Sequence, residues 1–434
     1  ASFTAIASGN FNSASTWQGG NIPGFSLTGD IINIPPGIQV TLNSNFSISG
    51  STSSMVINGD LLAPNNVIYV NDITMTGVGK VTADSFLGTF PGQFDFNGTM
   101  SVNKLNLSFN NIIGNPIIDV AQIFYVLSPI MLNSGTINLT NGTRLIIAGM
   151  SGVAMPSPLS VNGSGQLGLL APYSVEYISG STESGTELSG PGLKNVTVDV
   201  GSGEELKLIA NAKIIGGALK LVSGTLNLNN KNLEFTASGD FDPVGSGAIK
   251  SSSGSEIFVN TASPLSGELR FTSGGNVMKK LIINTNGSIK IGSDIKVTDK
   301  VELQSGKVDI QNHKLSLITG AIVDGADAGK YIVTGAGGAL SDDVGANDST
   351  TFHIGTATQY APCMVKSNNN TVYNGLNIGV VDGVKTLGAS GPIMSSAQPI
   401  VNATWFLENG TATTVDIDLE LMWSASMEVN SFNR

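Results

Sequence analysis

One short pattern recurs along the chain and constrains its fold more than any other feature. The segment Leu219–Phe235 reads LKLVSGTLNLNNKNLEF, in which three alternating apolar stretches are separated by a Ser-Gly corner and an Asn-rich corner. Similar segments are VELQSGKVDIQNHKLSL at Val301–Leu317 and IMLNSGTINLTNGTRLII at Ile130–Ile147. They recur roughly every 80 to 90 residues, a period that is too long for one solenoid coil and fits several. The sequence therefore predicts a stacked array of short strands.

The corners of this pattern carry residues that tolerate a left-handed backbone. Glycine adopts positive φ at little steric cost, and asparagine does so more readily than other side chains or forms an Asx turn. We therefore expect left-handed or Asx geometry at the corner residues Gly135, Gly224, Gly306, Asn229, Asn230 and Asn312.

Composition supports a β-rich array. Of 434 residues, 54 are Gly, 41% are hydrophobic and only 12% are charged, which is opposite to the balance of a disordered chain. We predict an all-β protein: a parallel β-solenoid or β-helix-like repeat array with an N-terminal cap, followed by a β-sandwich-like domain. The predicted parts are a cap at 1–43, a first solenoid segment at 44–175, repeat modules at 176–257 and 258–340, and the sandwich-like domain at 341–434, continuing beyond the chain end.

Several segments carry narrower expectations. Trp17 and Phe25 suit a cap over the first coil, and Trp17 is equally compatible with an ordinary core position. The alternation in Val415–Trp423 predicts an antiparallel strand with one wet face. Only Ile117–Leu127 has a weak helical pattern. The surrounding apolar stretch, Ile112–Leu132, is interrupted by Pro, Asn and Asp, so we expect a buried strand pair or a short covered helix there and no transmembrane segment.

Charge and cysteine content exclude some classes of protein. The net charge of −11 disfavours nucleic acid as a partner, because phosphate binding needs a basic surface. The single cysteine, Cys363, allows no intrachain disulfide, and we expect a buried thiol. The chain starts at Ala1, which we interpret as a mature N-terminus from which a signal peptide has been removed.

Candidate chemical groups are few, and we assign no catalytic residue. The histidines His313 and His353 lie far apart in sequence and offer no zinc ligand set. His313 occupies the corner position of Lys231, which indicates a solvated turn. The carboxylate groups are Asp240 with Asp242, Asp342 with Asp343, and Asp416 with Asp418 and Glu420. Calcium at Asp240 and Asp242 is the one cofactor that we consider, because hard cations prefer oxygen ligands at such turns.

Aromatic residues are scattered, so the sequence shows no row of rings for sugar stacking. Tyr173 and Tyr177 alternate with Val175, and we expect all three to be in the core. An ice-binding ladder of threonines is interrupted, because Lys307 occupies the position held by Thr136 and Thr225 in the other repeats.

Several motifs together resemble the large secreted, cell-surface β-repeat proteins of Bacteroidota. They are SGNFNSASTWQGGNIP, which ends at Pro23, VEYISGS with SGPGLKNVTV and the repeat at Leu219–Phe235, and TFHIGTATQYAP at Thr351–Pro362. The resemblance implies export by the type IX secretion system, an extracellular or outer cell-surface location, and adhesin-like proteins without assigned catalysis. It also implies O-glycosylation at Asp-Ser/Thr sites, with Ser349 as the candidate and Ser85 as a poorer match. An ordinary turn is the alternative at both sites.

We therefore predict a non-enzymatic extracellular structural or adhesive protein, a rigid surface-displayed or fibre-forming rod. The alternative is a β-helix enzyme acting on polysaccharide, such as a lyase or hydrolase, or a carbohydrate-binding protein. A cleft with three or more carboxylates and a Lys or Arg would favour the enzyme. Expected partners are further copies of the chain, the outer-membrane secretion or anchoring machinery, polysaccharide, and host or cell surfaces.

Overall fold

The fold is nearly all β, with a parallel β-solenoid of about 15 turns, as the sequence predicts. The computed structural model describes residues 1–90, 93–108, 111–151, 157–318, 320–335, 337–388, 390–394, 398–409 and 415–433. Two compact units make up the chain. The first contains Ala1–Ala210 and Val222–Gly224, and the second contains Asn211–Leu221 and Thr225–Arg434.

The strands up to Ala210 are β1 Ser2–Thr4, β2 Gly9–Asn10, β3 Ser26–Thr28, β4 Ile31–Ile34, β5 Gln39–Thr41, β6 Phe46–Ser49, β7 Ser54–Ile57, β8 Asp60–Asn71, β9 Thr74–Thr76, β10 Lys80–Thr89, β11 Gln93–Phe94, β12 Thr99–Ser108, β13 Asn111–Ile112, β14 Ile117–Val126, β15 Ile130–Leu132, β16 Thr136–Leu139, β17 Thr143–Ala148, β18 Leu159–Val161, β19 Gln166–Gly168, β20 Tyr173–Ile178, β21 Thr182–Glu183, β22 Leu193–Asp199 and β23 Glu205–Lys207.

Each coil of the first unit stacks its apolar residues on those of the coil before. Parallel pairing places Val81 beside Leu61 on one side and Met100 on the other, and the column continues to Ile118 and Ile137. All five side chains are at most 1% exposed. Because side chains alternate across a strand, the residues between them face outward. The core of this unit is therefore a set of apolar columns that run from coil to coil.

Aromatic side chains pack around Trp17 near the start of the chain. This indole is 1% exposed and its Nε1 donates to the carbonyl of Phe11 at 2.6 Å. Phe11 packs edge-on against Trp17 with ring centroids 5.2 Å apart, and it also contacts Phe25 and Phe46. Trp17 thus has the buried position expected of either a cap residue or a core residue.

The helical interpretation of Ile117–Leu127 is wrong. Residues Ile117–Val126 form β14, which pairs in parallel with β12 and with β16 and β17. Helical structure is confined, among the described residues, to short 3₁₀ turns at Ala14–Thr16, Gln18–Gly20, Thr186–Leu188 and Ala425–Met427. The apolar face of this segment is buried by stacking, which overrides a weak helical periodicity.

The strands after Asn211 are β24 Ala212–Ile215, β25 Ala218–Ser223, β26 Thr225–Asn227, β27 Leu233–Ala237, β28 Asp240–Phe241, β29 Ala248–Lys250, β30 Glu256–Thr261, β31 Glu268–Leu269, β32 Val277–Ile291, β33 Ile295–Asp309, β34 Lys314–Leu317, β35 Ile322–Asp324, β36 Ile332–Val333, β37 Ala339–Val344, β38 Ser349–Phe352, β39 Ile354–Gly355, β40 Cys363–Ser367, β41 Tyr373–Asp382, β42 Lys385–Leu387, β43 Ser390–Ile393, β44 Ile400–Val401, β45 Ala403–Glu408, β46 Ile417–Leu421 and β47 Glu428–Val429.

The second unit begins as parallel coils and ends in antiparallel strands. In its coils, Phe235, Val259, Ile283 and Leu303 form one buried column. Parallel pairing persists as far as β36 with β39. Antiparallel pairing joins β37 to β41 and β41 to β45, and it also joins β38 to β40 and β40 to β46. The antiparallel strand predicted near the end of the chain is therefore confirmed as β46.

The apolar side of β46 differs from its prediction. Leu419 is 50% exposed, although the alternation placed it on a buried face with Ile417 and Leu421. β46 is also the edge strand of the three-stranded sheet β38-β40-β46, with a neighbouring strand on one side only. Alternation predicts which residues share a face, but burial of that face depends on what packs against it.

The left-handed corners are confirmed at the glycines and at two asparagines. The φ angles are +78° at Gly135, +79° at Gly224 and +82° at Gly306, and Asn229 and Asn230 are also positive.

Asn312 is an exception among the predicted corners, because the left-handed residue is its neighbour Gln311, with φ +51°. Here Asp309 Oδ1 accepts the backbone N–H of Gln311 at 2.9 Å. The Asx turn therefore starts at Asp309 and places the positive φ one residue before the asparagine.

Candidate functional site

The predicted calcium ligands Asp240 and Asp242 lie at a turn and bond to the backbone. Asp240 Oδ1 accepts the N–H groups of Phe241 at 2.8 Å and Ser266 at 2.7 Å. Asp242 Oδ1 accepts the N–H of Val244 at 2.7 Å. Among the described residues, no three His, Cys, Asp or Glu side chains group as a metal site would require. Calcium binding here stays a prediction.

The two candidate glycosylation serines have different environments. Ser349 is exposed at the start of β38, and its N–H bonds to Asp348 Oδ1 at 2.7 Å. Ser85 is only 7% exposed in β10, and its hydroxyl donates to Asp84. The structure therefore leaves Ser349 accessible to an enzyme and Ser85 largely inaccessible.

The carboxylates Asp342 and Asp343 lie in strand β37, and Asp418 and Glu420 lie in β46. Burial raises the pKa of Asp342 to about 6, and its Oδ1 accepts the N–H of Asp343 at 2.8 Å. Asp343 in turn accepts the N–H of Gly375 at 2.7 Å. His313 lies at its corner with its N–H bonded to Ile310, as the N–H of Lys231 bonds to Leu228 in the sister repeat.

One carboxylate lies wholly inside the first unit. Glu187, in the 3₁₀ turn after β21, is 0% exposed, and its Oε1 accepts the Tyr177 hydroxyl and the Gly185 N–H. The Tyr173 hydroxyl donates to the Glu187 carbonyl at 2.6 Å. Burial raises the pKa of Glu187, and burial together with the Glu187 carboxylate raises the pKa of Tyr177. Burial therefore disfavours the ionised form of this carboxyl group. The Glu187 side chain lies inside the coil, where solvent does not reach it.

The connection from β39 to β40 brings together side chains that are distant in sequence. His353 Nδ1 and the Tyr360 hydroxyl share a hydrogen bond of 2.7 Å. The Tyr360 ring lies 5.4 Å from that of Tyr331. Lys307 Nζ donates to the Tyr331 hydroxyl at 2.7 Å and to the Ala357 carbonyl at 3.0 Å. We call His353, Tyr360, Tyr331 and Lys307 the basic–aromatic cluster.

Desolvation governs the electrostatics of this cluster. Burial lowers the pKa of Lys307 and of His353, and it raises the pKa of Tyr331 to about 12. Lys307 also lies over the Tyr331 ring, 4.4 Å from its centroid, which stabilises its charge. The cluster therefore combines a partly buried cation with an imidazole whose neutral form is favoured.

Lys307 also lines a polar cleft of about 600 Å³. The lining residues are Asn286, Gly287, Ser288, Gln304, Ser305, Gly306, Lys307, Asp327, Gly329 and Lys330. Asp327 is the one carboxylate in this lining, and it pairs with Lys330 at 3.1 Å. The lining therefore lacks the three carboxylates that would favour a hydrolase.

A second cleft is lined by residues at and after the end of β46. Trp405 Nε1 donates to the Ala361 carbonyl at 3.0 Å, and the Trp405 and Trp423 rings are 6.4 Å apart. Phe432 meets Trp423 edge-on at 6.3 Å. Leu421, Met422, Trp423, Phe432 and Asn433 line a cleft of about 470 Å³, which we call the aromatic cleft.

The sequence did not reveal this grouping of rings. Trp405, Trp423 and Phe432 come from β45, from the end of β46 and from the last described residues, so no local spacing connects them. The available signal was compositional, because two of the three tryptophans fall in the last 30 residues. The TFHIGTATQYAP motif contributes His353 and Tyr360 to the basic–aromatic cluster, and its Ala361 carbonyl accepts the N–H of Trp405.

Neither a membrane-spanning helix among the described residues nor a related protein was found. No described helix is long and apolar enough to span a membrane. Searches against protein-family models, curated proteins and solved structures found no match to this chain.

Proposed function

We propose that this chain is a non-enzymatic extracellular protein that acts as a structural or adhesive scaffold. The resemblance of its motifs to secreted surface repeat proteins of Bacteroidota supports an exported, surface-attached role. The proposal depends on one structural observation: outward-facing side chains connect several pairs of neighbouring coils within each unit.

Ion pairs between successive coils carry this argument. In the first unit, Lys207 pairs with Glu183 at 2.9 Å, across the parallel pair β21 and β23. In the second unit, Lys213 pairs with Glu234 at 3.1 Å, where the two residues are direct partners in the β24 and β27 register. Further pairs are Arg144 with Glu176, Lys279 with Glu256 and Lys300 with Asp324.

Amide side chains form similar connections. Asn138 donates to Asp119 at 2.8 Å, 19 residues earlier, and Asn284 donates to Asn260 at 2.9 Å, 24 residues earlier. A single exposed pair contributes little, but a series of such pairs within a unit restrains the coils that they join. Such a surface suits load bearing and the display of binding sites.

A polysaccharide lyase or hydrolase is the rival function, and the basic–aromatic cluster is the observation that favours it. Lys307 and His353 have depressed pKa values, and Lys307 lines a polar cleft. Perturbed titratable groups beside a cleft are a common feature of active sites.

Product release distinguishes the two functions. The purified full chain is incubated with a panel of neutral and acidic polysaccharides, and new reducing ends and unsaturated products are measured. We expect no release above a heat-denatured control, together with retention of the chain on a polysaccharide surface or assembly visible by electron microscopy. Release that disappears in Lys307→Met would overturn the scaffold proposal in favour of the enzyme.

A further inference from the structure

Lys307 is a partly buried cation whose hydrogen-bond partners are neutral. Its Nζ donates to the Tyr331 hydroxyl at 2.7 Å and to the Ala357 carbonyl at 3.0 Å. An ammonium group has three N–H donors, so one donor has no acceptor among the described residues. Lys307 also forms no ion pair with a described carboxylate. A partly desolvated cation of this kind is stabilised by an added anion.

The carboxylates nearest to Lys307 in the cleft and along its strand have other cations beside them. Asp327, which also lines the polar cleft, pairs with Lys330 at 3.1 Å. Asp309, two residues after Lys307 in β33, lies directly opposite Lys290 in β32. Burial lowers the pKa of Lys307, and no carboxylate offsets that effect. The positive charge of Lys307 is therefore not compensated within the described chain.

The polar cleft beside Lys307 is lined by hydrogen-bonding groups alone. Its ten lining residues are glycines or have amide, hydroxyl, ammonium or carboxylate side chains, and none has an apolar side chain. The side chains of Asn286 and Ser288 form no hydrogen bond with another described residue. Such a lining offers nothing to the apolar side chains of a peptide, whereas it can bond the hydroxyl groups of a saccharide.

The charge of the lining favours an anion. It contains two lysines and one aspartate, so the cleft is locally positive on a chain with a net charge of −11. The parallel register of β32 and β33 places Ser288 directly opposite Lys307. A hydroxyl thus lies on the strand next to the cation. This arrangement fits a carboxylate carried on a ring that also has hydroxyl groups.

The repeat does not need a lysine at this corner. The equivalent position is Thr136 in one sister segment and Thr225 in another, and both follow the same Ser-Gly corner. All three positions lie in parallel strands of coils with the same left-handed glycine. The charge of Lys307 is therefore an addition to the coil, and threonine is a replacement that the coil accommodates.

We propose that the polar cleft binds an acidic saccharide, with Lys307 as the ion-pair partner of a uronate carboxylate and with Asn286 and Ser288 as partners of its ring hydroxyls. The inference rests on the proposed adhesive function for its purpose, because it names the class of surface to which the scaffold attaches.

The test is calorimetric titration of the full chain with hexagalacturonate, in a buffer without divalent cations. The comparison ligands are cellohexaose as a neutral saccharide, hexa-aspartate as an acidic peptide and inorganic phosphate as a free anion. We expect saturable binding of hexagalacturonate and weaker binding of the other three. Added sodium chloride should weaken the binding of hexagalacturonate, because salt screens an ion pair at an open cleft.

Two lysine variants separate the site from the overall charge. Lys307→Thr introduces the residue of the sister repeats and should weaken hexagalacturonate binding by roughly tenfold or more, the effect of losing a charged hydrogen bond. Lys213→Thr removes the same charge from a lysine of the second unit that pairs with Glu234 and does not line the cleft. It should bind as the wild type does.

A third variant should change binding in the opposite direction. Asp327 Oδ1 accepts the N–H of Gly329 at 2.8 Å, and an asparagine oxygen can accept the same bond. Asp327→Asn removes the one carboxylate of the lining and the partner of Lys330. We expect hexagalacturonate to bind about twofold to fivefold more tightly. Damage to the fold cannot produce tighter binding, so this variant decides the case if Lys307→Thr lowers the thermal unfolding midpoint.

Other outcomes overturn the inference. The cleft is not the site if hexagalacturonate shows no saturable binding, if Lys307→Thr binds as tightly as the wild type, or if Asp327→Asn binds no more tightly. Equal or tighter binding of cellohexaose refutes the acidic class. Equal or tighter binding of hexa-aspartate or phosphate refutes the saccharide class. The scaffold proposal is decided separately, because it depends on product release and none of these measurements does.

Discussion

At the residue scale, the most unusual group is the buried carboxyl of Glu187. The sequence predicted Tyr173 and Tyr177 as core residues, and both are buried, at 1% and 0% exposure. It gave no sign that a glutamate in the polar stretch STESGTEL would join them. The 3₁₀ turn at Thr186–Leu188 places Glu187 inward, and the Tyr177 hydroxyl and Gly185 N–H then satisfy one of its oxygens.

Glu187 should make stability depend on pH. Burial raises its folded-state pKa above the usual 4.5, so at pH values between the unfolded-state and folded-state pKa the folded chain binds more protons than the unfolded chain. Its contribution is therefore fully present below about 4.5 and is lost as pH rises through the folded-state pKa. We expect Glu187→Gln, which removes this proton linkage, to lose less stability than wild type as pH rises.

Urea unfolding midpoints measured at intervals from about pH 4 to pH 8 test this expectation, because the slope of stability against pH reports proton linkage. Glu183→Gln, in the same unit, is the control and should follow the wild-type slope, since Glu187 remains intact. Identical pH dependence in Glu187→Gln and wild type would show that the buried carboxyl does not hold its proton in the folded chain.

At the scale of elements, the corners explain why the repeat has the sequence it has. An added Cβ at Gly306 would lie 2.5 Å from the carbonyl oxygens of both Gly287 and Thr285. At Gly224 it would lie 2.4 Å from Val200 and 2.7 Å from the carbonyl oxygen of Gly201. Glycine is therefore required at these corners for two reasons: the backbone has a positive φ, and a neighbouring coil leaves no room for a Cβ atom.

Two glycine substitutions separate these requirements. Gly274 has φ +77° and no atom within 4 Å of an added Cβ, so Gly274→Ala introduces backbone strain alone, about 1 kcal/mol. Gly306→Ala also brings the new methyl group too close to the carbonyl oxygens of Gly287 and Thr285. It should therefore reduce the free energy of unfolding by more than Gly274→Ala does, by about 2 kcal/mol or above. Urea unfolding of the two full-length variants measures the difference. Equal losses would mean that the neighbouring coil yields at little cost.

At the scale of the whole molecule, burial and backbone pairing hold the chain together without a disulfide. Coils in both units stack apolar columns, and the single thiol, Cys363, is 1% exposed in β40. Burial raises the pKa of this thiol to about 11. Cys363 is therefore an internal reporter for opening of the antiparallel part of the second unit.

The native chain should resist thiol reagents and be indifferent to reductants. A pKa of about 11 instead of 9.0 leaves roughly a hundredfold less thiolate at a given pH, and burial blocks access further. We expect negligible labelling with Ellman's reagent at about pH 8, full labelling in urea, and no change in the unfolding midpoint with dithiothreitol. Cys363→Ser supplies the blank. Rapid labelling of the native chain would contradict the buried position.

The sequence by itself determined the β-solenoid, the left-handed glycine corners and the inward residues of its alternating repeat segments, because these depend on local sterics and on a period of two residues. It also indicated equivalent positions in the two sister repeats, such as Lys231 and His313. Some local details still depended on which of several nearby side chains forms a turn. The sequence suggested an Asx turn or a left-handed residue at Asn312, but the Asx turn is formed by Asp309, whose Oδ1 accepts the N–H of Gln311.

Only the tertiary structure decided which outward residues meet. Coil length varies, so partners one coil apart are 19 residues apart at Asn138 and Asp119 but 24 apart at Asn284 and Asn260. No fixed spacing could therefore predict the surface pairs. The antiparallel strands then bring Trp405 to Trp423, although each ring alone looked like an isolated aromatic. Contacts of this kind depend on chain path and register, which local sequence patterns do not specify.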